Sequence, residues 1–553
     1  MSKVMQIDPR DHVLIALEDL KAGETVWLGN KSWTLATAVP RKHKFLSEAR
    51  QKGDPVLMYG VLVGRAREPI PAGAVLTVAN LEHDISEFSS IRHPQPETMG
   101  PLPGLDAWRQ RSFLGYHRAD GQVGTRNYWL VIPLVFCENR NIATLRQAFE
   151  EELGYVAPSR YRRQVGQLAR LYRERGADWT AAAEATALEQ ALENAPVRLF
   201  PHVDGLRFLV HEGGCGGTRE DARNLCALFA GYLHHPNVAG ATVLSLGCQH
   251  SQASILMEEL RKRDPEFNKP LILLDQQTVG RESDLMDRAI RETFAGLVEA
   301  DRCRRTPAPL SSLTLGLKCG GSDGFSGISA NPSIGYTSDL LVALGGKTIL
   351  AEFPELCGVE QSMVDRCATQ ASADRFVALM RDYAARARAV GSGLEMNPSP
   401  GNIQDGLITD AMKSAGAARK GGTAPVAAVL DYPEYAVSAG LNLLCTPGND
   451  VECVTGEVGA GASIVLFTTG LGTPTGNPIA PVLKIATNTP LTQRMPDIID
   501  MDTGPVLEGS TTMEQMGEQI LERVIDVASG TVLTCAEQLG QHDFIPWKRG
   551  ISL

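Results

Sequence analysis

The sequence has no apolar run long enough to cross a membrane, no block of consecutive basic residues and no CxxC pair. The longest strongly apolar run, Tyr128 to Cys137, falls well short of the roughly 20 residues that a membrane helix needs. The N-terminal stretch carries acidic residues where the core of a signal peptide would be apolar. We therefore expect a cytoplasmic protein without a membrane segment.

The sequence also lacks an excess of positive charge, since 53 lysines and arginines against 64 aspartates and glutamates give the 553 residues a formal net charge of -11. A nucleic-acid-binding surface needs clustered lysine and arginine, so the composition favours small-molecule chemistry and excludes nucleic acid as a partner. The 11 cysteines are an odd number scattered through a large chain. That distribution favours reduced thiols, metal ligands or buried fillers over disulfides.

The first 92 residues predict a small all-β domain. Short apolar segments follow one another between Gly, Pro and charged turns, namely VLIAL, TVWLG, WTLATAV, PVLMYGVLVG and AVLTVA. The segment HPQPETMGPLPG then carries four prolines and little to bury, which is typical of an extended tether. We place a linker at residues 93–112.

After Gly115 the pattern changes to continuous apolar runs, each followed by a Gly-rich turn or a helix-like stretch. Continuous hydrophobicity is expected of strands that are covered on both faces, and alternation with helices indicates an α/β fold. The sequence therefore predicts a Rossmann-like, mostly parallel sheet, with a middle domain at 113–310 and a C-terminal domain at 311–553. The strand-like runs include WLVIPLVFC, LRFLVHEGGC, ATVLSLGC, LTLGLKCGG, TILAEFPE, VAAVLDY, NLLCTPGND and IVLFTTG.

Four cysteines, Cys137, Cys215, Cys248 and Cys319, stand at the ends of such runs. Open α/β sheets bind ligands outside the carboxyl ends of their strands, so the four thiols could converge on one cleft. Thiolate is a soft ligand that suits iron, zinc or an iron–sulfur cluster. The alternative is that each is a small buried hydrophobic residue, because cysteine is among the most buried residue types.

Polar loops accompany these strand ends. The richest is Lys318 to Pro332, where four glycines, several hydroxyls, a lysine and a carboxylate crowd a passage from strand to helix, a setting that offers backbone N–H groups to an anion. The loops Asn397 to Asn402 and Thr446 to Asp450 are likewise rich in glycine, proline and asparagine, although all three loops could be ordinary turns. Gly470 to Gly476 matches neither a phosphate loop nor a dinucleotide fingerprint, which argues against an NAD-dependent oxidoreductase.

These segments, in this order, resemble the altronate/galactarate dehydratase family, which also contains the large subunit of sulfolactate sulfo-lyase. The resemblance runs essentially end to end. It rests on GYHR, GQVGTRN, the strand ends at Cys137, Cys215 and Cys248, CGGSDGFSGISANP, PELCGVEQ, NPSPGN, TPGND, GTPTGNP and KIATN, and at the front on PRKHKF, YG and IPAG. It implies that the first domain is a β-clip (SAF) domain.

One departure concerns the residues after Gly73. The family typically has a histidine-rich HVHxHN strand there, whereas this chain reads Ala74 to Asn80 and retains only the asparagine. If the family's histidines bind metal or substrate, their loss alters the site or the substrate. His43 and His83 are the only nearby replacements, and His83 is more typical of a surface residue.

The resemblance implies β-elimination from a sugar acid, in which a base takes the proton beside the carboxylate and the next hydroxyl leaves. The product is a 2-keto-3-deoxy acid. The reaction needs a base, enediolate stabilisation and an acid or metal for the departing hydroxide. The resemblance implies Fe²⁺, with Mn²⁺ as a possible substitute. The cysteines also allow an iron–sulfur cluster with one open iron.

Site residues follow from the matching motifs. For the base we expect His43 or His211, with Lys318 and Glu355 as competitors. Arg126 is expected to hold the substrate carboxylate in its guanidinium fork, or else to form a structural ion pair. Further substrate contacts are expected from Asn127, Ser322, Asp323, Asn331, Asn402 and Asn449, and metal ligation from Cys137, Cys215, Cys248 and Cys319.

Two other functions stay open at this point. A sulfo-lyase would expel sulfite from a sulfonated hydroxy acid such as sulfolactate, and the altered strand after Gly73 allows such a change of substrate. A non-catalytic sugar-acid-binding protein would keep the fold without turnover. In either case we expect a homodimer that acts on, or binds, a small acid.

Overall fold

The first domain contains only strands. A computed structural model describes residues 2–93, 99–100, 102–156, 160–188 and 196–550. In residues 2–93 the strands form three small antiparallel sheets, β1-β2-β5, β3-β4 and β6-β7-β8, as expected for short apolar segments between tight turns. The strands are β1 (Val4–Met5), β2 (Val13–Ala16), β3 (Thr25–Leu28), β4 (Lys31–Thr34), β5 (Lys44–Leu46), β6 (Pro55–Met58), β7 (Val61–Ala66) and β8 (Leu81–Glu82). We call these residues the N-terminal β domain.

One strand of that domain differs from prediction. The segment from Ala74 to Ala79 makes only an isolated bridge, between Val75 and Phe45. It then turns, because the Asn80 side chain accepts a hydrogen bond from the Thr77 N–H and its amide donates to the Val75 carbonyl. Asparagine favours such side-chain-closed turns, so the apolar pattern here does not extend into a strand.

The middle domain contains two sheets. A four-stranded parallel sheet runs β12-β11-β13-β14, and a three-stranded antiparallel sheet runs β10-β9-β15. Of the predicted linker, residues 94–98 and 101 lie outside the described residues, and a short helix α1 (Leu105–Arg109) lies within it. The other elements are β9 (Ser112–His117), β10 (Val123–Gly124), β11 (Tyr128–Pro133), α2 (Asn139–Glu152), α3 (Arg160–Arg175), α4 (Trp179–Ala185), β12 (Gly205–Phe208), α5 (Arg219–His234), β13 (Val238–Ser245), α6 (Ala253–Arg263), β14 (Leu271–Asp275), α7 (Gln276–Val279), α8 (Glu282–Ala300) and β15 (Arg305–Pro309).

The C-terminal domain is built on a seven-stranded parallel sheet in the order β18-β19-β17-β16-β20-β21-β22. Four of its inner strands, β16, β19, β20 and β21, are wholly buried, as continuous apolar runs predict. The elements are β16 (Thr314–Cys319), α9 (Ala330–Ala343), β17 (Lys347–Leu350), α10 (Glu360–Arg366), α11 (Gln370–Ala389), α12 (Pro400–Gln404), α13 (Asp410–Ala418), β18 (Val426–Leu430), β19 (Gly440–Leu444), α14 (Asp450–Gly459), β20 (Ile464–Thr469), β21 (Val482–Ala486), α15 (Thr489–Arg494), β22 (Met501–Asp502), α16 (Gly504–Glu508), α17 (Met513–Ser529) and α18 (Cys535–Gln538).

The predicted fold class is confirmed, with a small strand-rich front domain and a large α/β region that contains parallel sheets. The two α/β domains share one hydrophobic core, in which Leu130 and Ile132 of the middle sheet belong to the same cluster as Val454 and Phe467. None of the helices in the described part of the chain has the length and apolar character needed to span a bilayer.

The N-terminal β domain docks on the C-terminal domain through two residues with left-handed backbone, Lys42 (φ 75°) and Tyr59 (φ 57°). Each presses against glycine. A Cβ atom on Gly324 would lie 2.3 Å from the Lys42 carbonyl oxygen, and one on Gly406 would lie 2.6 Å from it. A Cβ atom on Gly327 would lie 2.2 Å from the Tyr59 hydroxyl. The docking surface therefore needs residues without side chains.

Candidate active site

Three of the predicted cysteines follow three neighbouring strands of the middle sheet. Cys137 comes after β11, Cys215 after β12 and Cys248 after β13, and these strands are parallel and adjacent. The carboxyl ends of parallel strands meet at one edge of a sheet, so the three loops share that edge. All three thiols are free and exposed.

Backbone hydrogen bonds tie the three cysteine loops together. The Phe136 N–H donates to the Gly213 carbonyl at 3.1 Å, and the His250 N–H donates to the Gly214 carbonyl at 2.9 Å. Gly214 has φ +98°, and a Cβ atom there would lie 2.4 Å from the Leu134 carbonyl oxygen. Glycine beside Cys215 thus allows the loop to reach its neighbours.

The cysteine loops open onto a cavity of about 670 Å³ between the middle and C-terminal domains. Cys215 lines it, as do Asn139 and His250, which stand two residues after Cys137 and Cys248. The opposite wall comes from the C-terminal domain and includes Glu452 and residues 544–548. A cavity lined by convergent polar groups at a domain boundary is the usual setting of a small-molecule site.

The packing of helix α5 against helix α14 explains why the middle domain and the C-terminal domain each contribute one wall of the cavity. The two helices run in the same direction: a Cβ atom on Gly231, near the end of α5, would lie 2.0 Å from the carbonyl oxygen of Gly459, the last residue of α14. At their other ends, Thr218 and Glu452 line the cavity. Both helices begin at the carboxyl edges of their sheets, so those edges face the same space.

His211, a predicted base, lies in the cavity wall with both ring nitrogens engaged. Its Nε2 contacts the Pro133 carbonyl at 2.7 Å, and its Nδ1 accepts a hydrogen bond from the Gly213 N–H at 2.9 Å. Burial lowers the pKa of His211 to about 4. The ring is therefore neutral with no free lone pair, a geometry that supports the cysteine loop and is poorly suited to proton abstraction.

Cys319 lies apart from the other cysteines, at the end of β16 in the C-terminal sheet. It is buried, whereas the other three are exposed. Its thiol donates to Glu355 at 2.9 Å and accepts a hydrogen bond from Lys420 at 2.7 Å. Burial raises the pKa of the thiol to about 12. The four predicted ligands thus divide into three exposed thiols and one buried neutral thiol.

A network of lysines and carboxylates encloses Cys319. Lys420 pairs with Glu352 at 2.9 Å, Lys413 pairs with Glu355 at 2.8 Å, and Lys318 also pairs with Glu352. Burial alone would raise the pKa of Glu355, but Lys413, Lys420 and Lys318 outweigh it and lower the pKa to about 2. Lys318 and Glu355, both predicted as bases, are therefore members of a buried ion network.

Metal-binding capacity differs between the two cysteine sites. Among the described residues, only Asp120/His234/Asp264 and Cys319/Glu352/Glu355 bring three His, Cys, Asp or Glu donor atoms within 4.8 Å of one another. In the second group, the thiol and both carboxylates already contact the ammonium groups of Lys318, Lys413 and Lys420. A divalent cation bound there would be repelled by these three positive charges. Among the described residues, no ammonium group pairs with the three exposed thiols, which therefore fit a thiolate-bound group better.

Asp323 lies where the strand order of the C-terminal sheet reverses, because the chain proceeds from β16 to β17 on one side and to β20 on the other. Its carboxylate is fully buried. It accepts hydrogen bonds from Ser326 and Thr487 and pairs with Lys42 of the N-terminal β domain at 3.1 Å. These contacts of Asp323 hold the N-terminal β domain against the C-terminal domain at the point where the strand order reverses.

His43 and Lys44 continue the contact begun by Lys42. His43 contacts the Gln404 carbonyl through Nε2 at 2.9 Å, and the Lys44 ammonium donates to the Gly406 carbonyl at 2.7 Å. Burial lowers the pKa of Lys44 to about 7, against the opposing attraction of Asp323. Burial likewise lowers the pKa of His43. His43 therefore lies at the domain contact rather than among the residues that line the three-cysteine cavity.

Arg126 forms the structural ion pair that was the alternative to carboxylate binding. Its guanidinium makes a bidentate pair with Glu537 at 2.8 and 3.0 Å and donates to two backbone carbonyls. Asn127 is similarly occupied, since its side-chain amide donates to the carbonyls of His202 and Ala300. These contacts join β11 to the C-terminal helices and to α8.

Three of the predicted substrate-binding polar residues also make contacts within the protein. Asn331 donates to Gly416 and accepts from Thr468, Asn402 donates to the Ser322 carbonyl, and Asn449 caps α14. The Ser322 hydroxyl is buried without a hydrogen-bond partner among the described residues. The three asparagines therefore hold the loops at the carboxyl edge of the C-terminal sheet in place.

Several residues of these sites were not singled out from the sequence: Lys42, Lys44, Glu352, Lys413, Lys420 and Glu452. Lys42 and Lys44 stand in the PRKHKF motif and the other four in ordinary strand-end, helical or turn patterns, so only the tertiary contacts show which of these side chains meet. The structure marks two of them: Glu352 (φ 68°) and Lys42 are non-glycine residues with left-handed backbone, a strain that concentrates at functional sites and that the sequence does not show.

Comparison with known proteins agrees with the architecture. Residues 2–84 match the altronate/galactarate dehydratase SAF domain, residues 115–301 the D-galactarate dehydratase/altronate hydrolase second domain, and residues 310–552 the D-galactarate/altronate dehydratase C-terminal domain. Altronate dehydratase of Escherichia coli is 33% identical over 99% of both chains, and that of Bacillus subtilis is 31% identical over 100% of both.

A more distant relative is the (2R)-sulfolactate sulfo-lyase subunit beta of Chromohalobacter salexigens, which is 29% identical over 79% of this chain and 97% of its own. The end-to-end similarity to two altronate dehydratases confirms the predicted resemblance and the prediction of an enzyme of the hydro-lyase class. The chain belongs to the altronate/galactarate dehydratase family.

Proposed function

We propose that the protein removes water from a 2,3-dihydroxy sugar acid, an aldonate or aldarate such as altronate or galactarate, and forms a 2-keto-3-deoxy acid. The observation that carries this proposal is the set of three free thiols at the carboxyl edge of the middle sheet, whose loops line a cavity of about 670 Å³ through Cys215, Asn139 and His250. The relatives named altronate dehydratase, similar over the full chain, support the substrate class.

The cofactor we propose is an iron–sulfur cluster held by Cys137, Cys215 and Cys248. Around a single ion, thiolates at 2.3 Å would lie roughly 3.8 Å apart, and these three do not form one of the close donor groups of the described residues. Three thiols also favour iron over manganese, which prefers oxygen ligands. When bound, the group would act as a Lewis acid toward the leaving hydroxyl.

The residues of the chain contribute the rest of the site. Gly214 and Gly247, both with positive φ, precede Cys215 and Cys248 and pack tightly against Leu134 and Gln277, which fixes the loops that carry these thiols. Asn139 lies in the same wall, and its side-chain oxygen, which has no hydrogen-bond partner among the described residues, is available to a substrate hydroxyl group. The tail at residues 544–548 narrows the cavity and limits access of water, which strengthens electrostatic interactions inside it.

The test is turnover of anaerobically purified, iron-loaded protein with a panel of aldonates, aldarates and sulfolactate. We expect 2-keto-3-deoxy acid from at least one sugar acid, measured by a keto-acid assay and mass spectrometry. Ligand-induced thermal stabilisation without product from any member of the panel would contradict catalysis and favour the binding-protein alternative.

Sulfite elimination is the second candidate function. Two observations favour it: the similarity to a sulfo-lyase subunit, and the residues Ala74 to Asn80, which lack the histidines that the family resemblance implies. The same panel decides between the two, because sulfite release from sulfolactate without keto-acid formation from sugar acids would contradict the dehydratase proposal.

A further inference from the structure

The three-cysteine cavity has a second wall, and a carboxylate faces the substrate space from it. Glu452 lies in the first turn of α14, in the C-terminal domain, whereas the thiols belong to the middle domain. We infer that Glu452 is the base that takes the proton beside the substrate carboxylate. This inference rests on the proposed dehydration and assigns a role that none of the predicted base residues fills.

Four other ionisable groups of the cavity are less suited to the role, namely His211, Glu212, Asp221 and His250. Both nitrogens of His211 are engaged with backbone, and Asp221 accepts hydrogen bonds from Thr218 and from the N–H groups of the C-terminal tail. Glu212 and His250 lie on the thiol wall, within three residues of a proposed ligand. A base on that wall would lie on the same side of the substrate as the group that activates the leaving hydroxyl.

Glu452 is held in position and left unpaired. The Asn449 side chain accepts a hydrogen bond from the Glu452 N–H at 3.2 Å, which fixes the start of the helix. Among the described residues, no ion pair or hydrogen bond includes the Glu452 carboxylate, although the residue is half-buried. Burial raises its pKa, which makes the carboxylate a stronger base than an exposed one.

Position and chemistry agree. In the dehydration, the Glu452 carboxylate accepts the proton from C2, the C–H electron pair forms the C2=C3 bond, and the C3–O bond breaks. The leaving hydroxide takes one proton and departs as water. The enol then becomes the ketone by gaining a proton at C3 and losing the one on the C2 oxygen. The proton and the hydroxyl leave from adjacent carbons, so opposed walls supply the base and the leaving-group acid separately.

The test compares Glu452→Gln with Glu452→Asp and with Glu220→Gln, an exposed control whose only described partner is Arg386. For Glu452→Gln we expect kcat to fall at least about 100-fold, the usual contribution of a positioned base. Substrate affinity by calorimetry, iron and sulfide content, and melting temperature should match wild type. Glu452→Asp should retain intermediate activity and show a larger isotope effect with C2-deuterated substrate.

Two results would overturn the assignment. One is a kcat of Glu452→Gln within about tenfold of wild type, too small a change for loss of the base. The other is loss of iron or substrate binding in parallel with activity, which would make Glu452 structural. Failure of the proposed function looks different, since wild-type protein would then form no 2-keto-3-deoxy acid from any sugar acid.

Discussion

The ammonium group of Lys42 lies 3.1 Å from the carboxylate of Asp323, across the boundary between the N-terminal β domain and the C-terminal domain. Lys42→Met would leave Asp323, which is fully buried, without its cation. Removing one partner of a buried pair costs about 3 kcal/mol, so we expect a lower urea midpoint and faster proteolysis of the linker.

Two further variants separate charge from backbone strain at this contact. Asp323→Asn should partly rescue Lys42→Met, because the fully buried carboxylate is then gone and only the partly exposed Asp405 carboxylate has lost its cation. Lys42→Gly also loses the ammonium but relieves the left-handed backbone, by about 1 kcal/mol. Equal stability of wild type and Lys42→Met would contradict the role of the pair.

Gly327→Ala tests the glycine contact of Tyr59. The added Cβ atom would lie 2.2 Å from the Tyr59 hydroxyl, so we expect the domain contact to weaken by about 1–3 kcal/mol, as in other overpacked sites. Gly166→Ala is the matched control, because a Cβ atom there meets nothing within 4 Å. Thermal melts of both variants, with and without Tyr59→Phe, give the measurement. Identical melting of the two alanine variants would refute the contact.

Serine substitutions test the proposed cluster. We expect Cys137→Ser, Cys215→Ser and Cys248→Ser each to lose most iron and acid-labile sulfide after anaerobic purification, because each thiol is an unpaired ligand. Cys319→Ser should retain both, since its thiol is neutral and enclosed by lysines. Iron without sulfide in the wild-type protein would count against the cluster, and unchanged iron in all four variants would remove cysteine ligation.

Because of Lys44, the free energy of unfolding should increase as the pH rises above about 7. Burial lowers its pKa to about 7, whereas in the unfolded chain it stays protonated up to about 10.5. The unfolded state therefore binds more protons between these values, and stability rises with pH across that window. Lys44→Met should flatten the rise in melting temperature from pH 7 to 10, and the exposed Lys31→Met should not. A slope unchanged by Lys44→Met would show that the ammonium is not desolvated.

The Arg126–Glu537 pair should matter for stability and not for substrate affinity. Either Arg126→Met or Glu537→Gln breaks a buried bidentate pair, and we expect a loss of about 3–5 kcal/mol in unfolding free energy. KM measured at a temperature where the variants stay folded should equal that of wild type. A large rise in KM for Arg126→Met alone would restore the role in carboxylate binding that its motif predicts.

Much of the fold could be predicted because its signals are local. Runs such as ATVLSLGC and LTLGLKCGG become buried parallel strands, and the repeated helical pattern after Ser510 becomes α17. The strand predicted at Ala74 to Ala79 was wrong, since Asn80 closes a turn that apolar alternation does not reveal. The homodimer and the cytoplasmic location stay predictions.

The site could be predicted less well, because its residues are joined by sheet order rather than by sequence spacing. All four cysteines were predicted at strand ends, and Cys319 in the C-terminal domain, but the expectation that the four thiols converge on one cleft was wrong because Cys319 ends a buried strand of the other sheet. Glu452 could not be singled out, since its value as a base depends on a wall contributed by residues more than 200 positions earlier.

The contact of the N-terminal β domain has a consequence for how the polypeptide can be divided. Lys42 and Tyr59 contact glycines of the C-terminal domain, and Lys42 also pairs with Asp323. None of these contacts involves the linker. Within the linker, Leu102, Leu105 and Trp108 pack against the core of the C-terminal domain, so the linker also holds the N-terminal β domain at high effective concentration beside its binding surface. Cut within residues 93–112, the same surfaces would form a two-chain complex whose assembly depends on dilution.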